Sequence, residues 1–429
     1  MWRTIVLLTL LFAFAKPSLY AQDATGYVVE RIEVRGNHKT KADIILRSLP
    51  IHKGDRLTPG RLDASRESLY RTRLFRTVHV APKPGTEQGK AVLVVYVDEK
   101  RFGDAGVSFE YTELDGFGLA ADAYHVNLGG EGKTVGVEYS HGERLQHFGF
   151  SYTDPWLTSG CTSLHMKALF SRADRDMYRS SDPQKRGLYD QDRIGGAVGL
   201  GKPIGEEFRL VVRYALDQIR INDFDEPKVY ISGPEFTREV SSALGRTPIS
   251  TFGIELFRQP ASRFWGGAPG FDLNFRLDFA PGALGTNASY LRSRVEAHRH
   301  FATLPGQTLS VGGRAGLIFG SPPFFERFYL DGENQLRGFE RRAIGPEGGT
   351  EFVSIEGVYA IAIRPIGRLY CFAEWAAIRR PVAAFHRRDS NGTYGIGALL
   401  FNRVDISYGL KRGTLIVKFH RFGGINLGL

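Results

Sequence analysis

Beyond about residue 103 the sequence repeats with a period of two. Phe271, Leu273, Phe275, Leu277 and Phe279 share one face of a strand, and Asp272, Asn274, Arg276 and Asp278 share the other. Phe208, Leu210, Val212, Tyr214 and Leu216 oppose Arg209, Arg213 and Asp217 in the same way, and Val404, Ile406, Tyr408 and Leu410 oppose Asp405, Ser407 and Lys411. Period two is the signature of a strand whose faces meet different surroundings. Two architectures suit it: a soluble sandwich that buries the apolar faces, or a transmembrane barrel that turns them to lipid. One strand separates them. Ser293, Val295, Ala297 and Phe301 alternate with Arg292, Arg294, Glu296, His298 and His300. A row of ionisable groups is very costly in a dry core and cheap against water. The charged faces therefore line a wet interior, and the apolar faces look out to hydrocarbon.

Turn signals after Arg101 divide this region into about sixteen strands: 103–112, 116–127, 133–141, 145–153, 161–171, 190–203, 208–222, 249–258, 271–280, 289–303, 308–320, 351–364, 368–380, 393–402, 404–411 and 414–422. An even number suits a single-chain bacterial barrel. Two connections are long, 222–248 and 320–350. The 51 glycines, the 12% aromatics and the scarcity of Met and Cys agree with a barrel.

The first residues set the compartment. Met1 to Arg3 is a short positive start, Ile5 to Ala15 is apolar, and a polar-flanked stretch runs to Ala21. The apolar run is too short to span a bilayer and reads as a secretory signal over residues 1–21, although Leu19 is large for position −3. No Cys follows it, so no lipid anchor is expected there. Charged residues interrupt every later apolar stretch, so no membrane helix is expected. Cys161 and Cys371 are far apart and are read as unpaired thiols. The net charge of +10 is assigned to the wet interior and to loops facing anionic head groups, with no nucleic acid as a partner.

Residues 22–100 mix periods. Val28 to Val34 alternates and stops at Gly36-Asn37. Thr40 is placed to cap a helix with Asp43 three residues on, and Ala42, Ile45, Leu46 and Leu49 fall on one face before Pro50. A second helix over about 58–74 carries Leu62, Leu69 and Tyr70 inward, and 75–81 and 91–97 read as two strands. The order β-α-α-β-β is a small α+β domain whose helices cover one face of a sheet.

Enzyme signatures do not hold. Gly129-Gly130-Glu131-Gly132-Lys133-Thr134 has Asn127 where a phosphate-binding loop needs glycine, and it sits between two strands as a hairpin turn. Gly199 and Gly201 lack a third glycine at the right spacing, and no nucleophile accompanies His141, His147, His298 or His300. No enzyme, cofactor or metal is expected.

The stretch Phe325-Glu326-Arg327-Phe328-Tyr329-Leu330-Asp331-Gly332-Glu333-Asn334-Gln335-Leu336-Arg337-Gly338-Phe339 resembles the signature of the BamA/TamA superfamily of outer-membrane assembly and translocation barrels, in its single-POTRA form. Its hallmark tetrapeptide is Leu336-Arg337-Gly338-Phe339, in the sixth extracellular loop, with five strands to follow. The β-α-α-β-β region resembles one POTRA domain, and Asp154-Pro155-Trp156-Leu157 resembles a short motif after the fourth barrel strand. The resemblance covers nearly the whole mature chain. It implies a transmembrane antiparallel β-barrel of about sixteen strands over 101–429, a POTRA domain over 22–100, and a loop at 321–350 folded into the lumen.

In that family the loop arginine is held by carboxylates on the strands that follow. By motif these are Glu356 in Ser354-Ile355-Glu356 and Glu374 in Phe372-Ala373-Glu374, where relatives usually carry Asp. Periodicity independently turns both inward, since Val353, Ile355, Tyr359 and Ile361, and Cys371, Ala373 and Trp375, take the lipid side. The chain departs from relatives with two to five POTRA domains, and Gly423 to Leu429 runs past the aromatic residues at which assembly-signal strands commonly end.

The function implied is insertion of outer-membrane proteins. The seam between the first and last strands, about 103–112 and 414–422, opens sideways and pairs with an incoming strand, and the POTRA edge receives extended substrate by the same chemistry. The expected partners are unfolded outer-membrane or exported clients and outer-membrane lipid, with periplasmic chaperones or accessory lipoproteins. Secretion of one client through the lumen, or a structural or lipid-handling barrel, are the competing readings.

Overall fold

The computed structural model describes residues 26–112, 116–142, 145–158, 162–176, 188–205, 207–224, 234–258, 270–282, 288–330, 336–337, 339, 344–380, 387–401, 404–411 and 413–419. The expected signal, Cys161, Gly338 and the stretch Gly423 to Leu429 lie outside them. The chain divides into two compact units at about Lys100. Among the described residues no helix is long and apolar enough to cross a membrane.

The first unit holds β1 (Val28–Arg35), α1 (Ala42–Arg47), α2 (Pro59–Arg71), β2 (Phe75–Pro84) and β3 (Lys90–Glu99), in a sheet ordered β1-β3-β2. β3 is central because its run Ala-Val-Leu-Val-Val is apolar at every position, and Ala91 to Val95 are all buried. Thr58 caps α2 by accepting from the Arg61 amide at 3.3 Å, with Pro59 in the first turn, where its missing N–H is not needed. The sequence expectation needs two corrections here. The buried face of α1 is Ile44, Ile45, Ser48 and Leu49, with Ala42 exposed and Leu46 half-buried. Tyr70 is also exposed rather than inward: its ring lies outside the core, and its hydroxyl accepts the Val78 amide at 3.1 Å.

That last bond fixes the edge of the sheet. Gly85 N–H donates to Lys90 O across the β2–β3 turn, so odd-numbered residues of β2 face β3 and even-numbered ones face outward. The outward positions are Val78, Val80, Pro82 and Pro84. Tyr70 takes the first amide and the prolines have none, so β2 is a blunted edge. The start of β1 is covered as well: Val29 N–H donates to Asp55 O, Gly54 N–H to Val29 O and Leu57 N–H to Tyr27 O.

The second unit is a sixteen-stranded antiparallel sheet rolled into a barrel. Its strands are β4 (Gly103–Thr112), β5 (Gly116–Leu128), β6 (Lys133–Gly142), β7 (Leu145–Asp154), β8 (Ser163–Asp176), β9 (Leu188–Ile204), β10 (Phe208–Phe224), β11 (Gly245–Arg258), β12 (Gly270–Ala280), β13 (Tyr290–Ala302) and β14 (Gln307–Gly320). After a small hairpin, β15 (Phe328–Leu330) with β16 (Ile344–Gly349), the wall resumes with β17 (Glu351–Ile363), β18 (Gly367–Arg380), β19 (Arg387–Leu400), β20 (Val404–Gly409) and β21 (Thr414–Phe419). The register keeps like with like. On β12 and β13 the outward pairs are Leu273 with Ala297 and Phe275 with Val295, and the inward pairs are Arg276 with Arg294 and Asp278 with Arg292. Large apolar side chains stay exposed outside, among them Val212, Leu216, Phe252, Phe279, Ile355 and Trp375. Cys371 is a free, exposed thiol on that outer face.

The seam differs from the other joints. β13 and β14 are registered over thirteen pairs, from Tyr290–Gly320 to Ala302–Thr308. Among the described residues β21 and β4 meet at one, Val417 with Tyr111. The connection expected over 222–248 is shorter than the sequence suggested. β10 runs to Phe224, β11 starts at Gly245, and between them α3 (Pro234–Ser242) packs Val240 against Tyr189, Ile219, Ile221, Ile249 and Phe324.

Candidate functional site

The connection from β14 to β17 turns back onto the inner wall of the barrel. Leu336 and Phe339 are buried with Leu330, Phe352, Ala376 and Ile378. Phe339 N–H donates to Leu336 O at 3.2 Å, which closes a turn across the tetrapeptide. Two apolar anchors three residues apart, joined by a turn, leave the residue that follows the first anchor pointing at the strands beyond. That residue is Arg337.

Glu374 receives it. The Arg337 amide donates to Glu374 Oε2 at 2.6 Å and its Nε donates to Oε1 at 2.5 Å, so one carboxylate fixes both the loop backbone and the side chain. Glu374 is 5% exposed, and charge-assisted bonds of this length in a shielded site are strong. Glu356 stands opposite Glu374 in register on the adjacent strand. Its Oε2 is 3.7 Å from Arg337 Nη2, an ion-pair distance but too long for a hydrogen bond. The guanidinium carbon lies 4.4 Å from the Phe372 ring centre and 5.6 Å from that of Tyr370, a cation–π bed. The bed is flat because glycines stand beside it. A Cβ on Gly395 would come within 2.5 Å of the Phe372 ring, and one on Gly397 within 2.3 Å of the Tyr370 ring. The Tyr370 hydroxyl in turn donates to Asp405.

The structure therefore brings Leu336, Arg337, Phe339, Glu356 and Glu374 together. Asp154, Pro155 and Trp156 are elsewhere: they form the turn after β7, where Asp154 Oδ1 accepts the Trp156 amide at 2.9 Å and Lys133 reaches Oδ2 at 3.4 Å. That is an Asx-type turn.

Sequence reasoning missed three parts of the site. Tyr370 and Phe372 lie four and two residues before Glu374 and are therefore inward by the same alternation that placed Glu374. Glu326 was inside the quoted stretch without a role. It is buried at the base of the loop, accepting from Arg292 Nη1 at 2.7 Å and from the Tyr290 hydroxyl at 3.2 Å, with Arg193 Nη1 at 3.3 Å. Next to it, Arg327 Nη2 donates to Glu239 of α3 at 2.6 Å. A buried carboxylate between two arginines from β9 and β13 is a second fastening for the loop, at its entry.

Residues 127–410 match the Omp85 superfamily domain, and residues 27–100 match POTRA, described as a surface antigen variable number repeat. The outer membrane protein assembly factor BamA of Nitratidesulfovibrio vulgaris is 25% identical over 322 residues, covering 74% of this chain and 38% of that protein. BamA of Neisseria meningitidis serogroup B is 23% identical over 358 residues, covering 78% and 42%. The chain thus spans about two fifths of the length of these curated relatives. Among solved structures, BamA from Haemophilus ducreyi lacking POTRA domains 1-3 has the same fold, with a TM-score of 0.62 at 16% identity over 92% of this chain and 85% of that one. CdiB from Escherichia coli also has a TM-score of 0.62, at 14% identity over 92% and 75%. With a barrel whose arginine-bearing loop returns to the wall, and a domain match over most of that barrel, the chain belongs to the Omp85 superfamily.

Proposed function

We propose that this protein assembles and inserts other β-barrels in the bacterial outer membrane, with residues 22–100 in the periplasm as a POTRA domain and residues 101–429 as the barrel. The seam carries this reading: among the described residues one registered pair joins β21 to β4, against thirteen between β13 and β14. Each ladder pair removed from a joint lowers the cost of parting it and exposes unpaired amides and carbonyls, which template an incoming strand. The relatives named outer membrane protein assembly factor support the same role. The loop at 321–350, held in the lumen through Arg337, Glu356 and Glu374, stiffens the wall at β17 and β18, three strands from the moving joint. Clients are unfolded outer-membrane proteins, and outer-membrane lipid is the surrounding partner.

The test has two arms. Depleting the protein lowers the folded fraction of outer-membrane barrels, and a disulfide engineered across the β4–β21 seam reproduces that loss until reductant is added. Normal barrel levels with a single exported protein missing would instead mean secretion through the lumen. Full activity with the seam locked would end the lateral-opening mechanism.

A further inference from the structure

Glu356 is the weaker partner of Arg337, yet it stands directly beside Glu374, and like charges opposite one another on neighbouring strands repel. Arg337 commits its amide and Nε to Glu374 and leaves Glu356 at 3.7 Å. Something else must hold that second carboxylate in place. His298 does so from two strands away. Its Nε2 is 2.7 Å from Glu356 Oε1, and a carboxylate only accepts, so Nε2 carries the hydrogen.

The reach is made possible by one residue. His298 on β13 is in register with Gly312 on β14, and Gly312 is in register with Glu356 on β17. The imidazole lies flat across the glycine: a Cβ built on Gly312 would stand 2.1 Å from the ring Cδ2 and 2.6 Å from Nε2. Any side chain at 312 displaces the ring from Glu356. The other ring nitrogen, Nδ1, is 3.7 Å from Glu296 Oε1, and Glu296 is itself engaged by Arg314 Nε at 3.1 Å.

We propose that His298 is a positioning residue for the loop socket, holding Glu356 across Gly312 so that one carboxylate oxygen takes the imidazole and the other faces Arg337. The four groups then alternate donor and acceptor in one line: His298, Glu356, Arg337, Glu374. Without His298, Glu356 is free to swing away from Glu374 toward open water or toward Arg314, and Arg337 loses its second carboxylate. Of the two carboxylates, only Glu374 then holds Arg337.

This rests on the seated-loop reading but not on client insertion, so the readout is seating itself, in detergent-purified full-length protein. Trypsin cuts after Arg337 only when the arginine leaves its socket, and mass spectrometry identifies that cut. The heat-modifiable folded band confirms that each variant forms a barrel. His298→Ala raises the cutting rate about tenfold, the size of one lost charge-assisted hydrogen bond. His298→Gln restores a rate near wild type, because its amide nitrogen stands where Nε2 stood, while the shorter His298→Asn does not. Gly312→Ala, which removes no polar group and adds none, reproduces His298→Ala by displacing the ring. Equal cutting in wild type and His298→Ala, or equal rates for the Gln and Asn variants, would overturn the proposal. Rapid cutting in wild type would show instead that the loop is not seated, which defeats the underlying reading.

Discussion

At the residue scale, the molecule places its charges where neighbouring charges neutralise them. Glu326 is 3% exposed and is tolerated only because Arg292 and Arg193 flank it. Those arginines continue the chain of pairing, Arg193 to Asp217 at 2.6 Å and Arg292 to Asp278 at 3.3 Å. Glu326→Ala strands buried positive charge at the loop entry and costs about 3–5 kcal/mol. The expected result is a folded band that converts to the unfolded one at lower temperature, with Glu326→Gln intermediate. Glu30 offers a contrast on an exposed surface. Its carboxylate accepts the Thr86 amide at 2.7 Å, and that bond, reinforced by Arg31 and Lys90 against some desolvation, holds its pKa below the ordinary 4.5. A carboxyl depressed in the folded state stabilises only while ionised. Its contribution is therefore complete above 4.5 and fades as the pH falls through the lower folded value. The Thr86 amide resonance should titrate with a midpoint below 4.5 in wild type and stay flat in Glu30→Gln. A midpoint at or above 4.5 contradicts the assignment.

At the element scale, the small sheet shows how an edge is closed. Of the four outward positions on β2, Pro82 and Pro84 bring no amide and Val78 gives its amide to Tyr70, which leaves Val80. The strand addition anticipated from the sequence has few donors to use here. Pro82→Val with Pro84→Val returns two amides to the edge and, added to Tyr70→Phe, a third. An extended peptide copied from a barrel strand should then shift the amides of 78–84 in the triple variant and leave them nearly unmoved in wild type. Comparable shifts in both proteins would show that the edge is open as it stands.

At the scale of the whole molecule, the barrel is inside-out relative to a soluble sheet protein. Leu216 is half-exposed on the outer face of β10, and its neighbour Asp217 points inward to Arg193. Leu216→Arg places a charge on the lipid side and costs about 2–4 kcal/mol if the site is near mid-depth. Refolding into lipid vesicles against urea measures it. A change of only a few tenths would mean that the face meets water.

The sequence by itself determined the wall. Period two assigns every strand residue to a side, and the ionic row from Arg292 to His300 says which side is wet. That logic needs no tertiary information, because adjacent side chains on a strand must point oppositely. It also turned Glu356 and Glu374 inward. Only the tertiary structure decided how they act. Register sets Gly312 between His298 and Glu356, residues 58 positions apart in the chain, and a shift of one residue would move all three to the lipid side. The same holds for α3 beneath the loop, the proline-blunted edge and the pairing of Val417 with Tyr111 at the seam. Each depends on which strand lies next to which, and hydrogen-bond pairing between distant segments leaves no periodic trace in either segment alone.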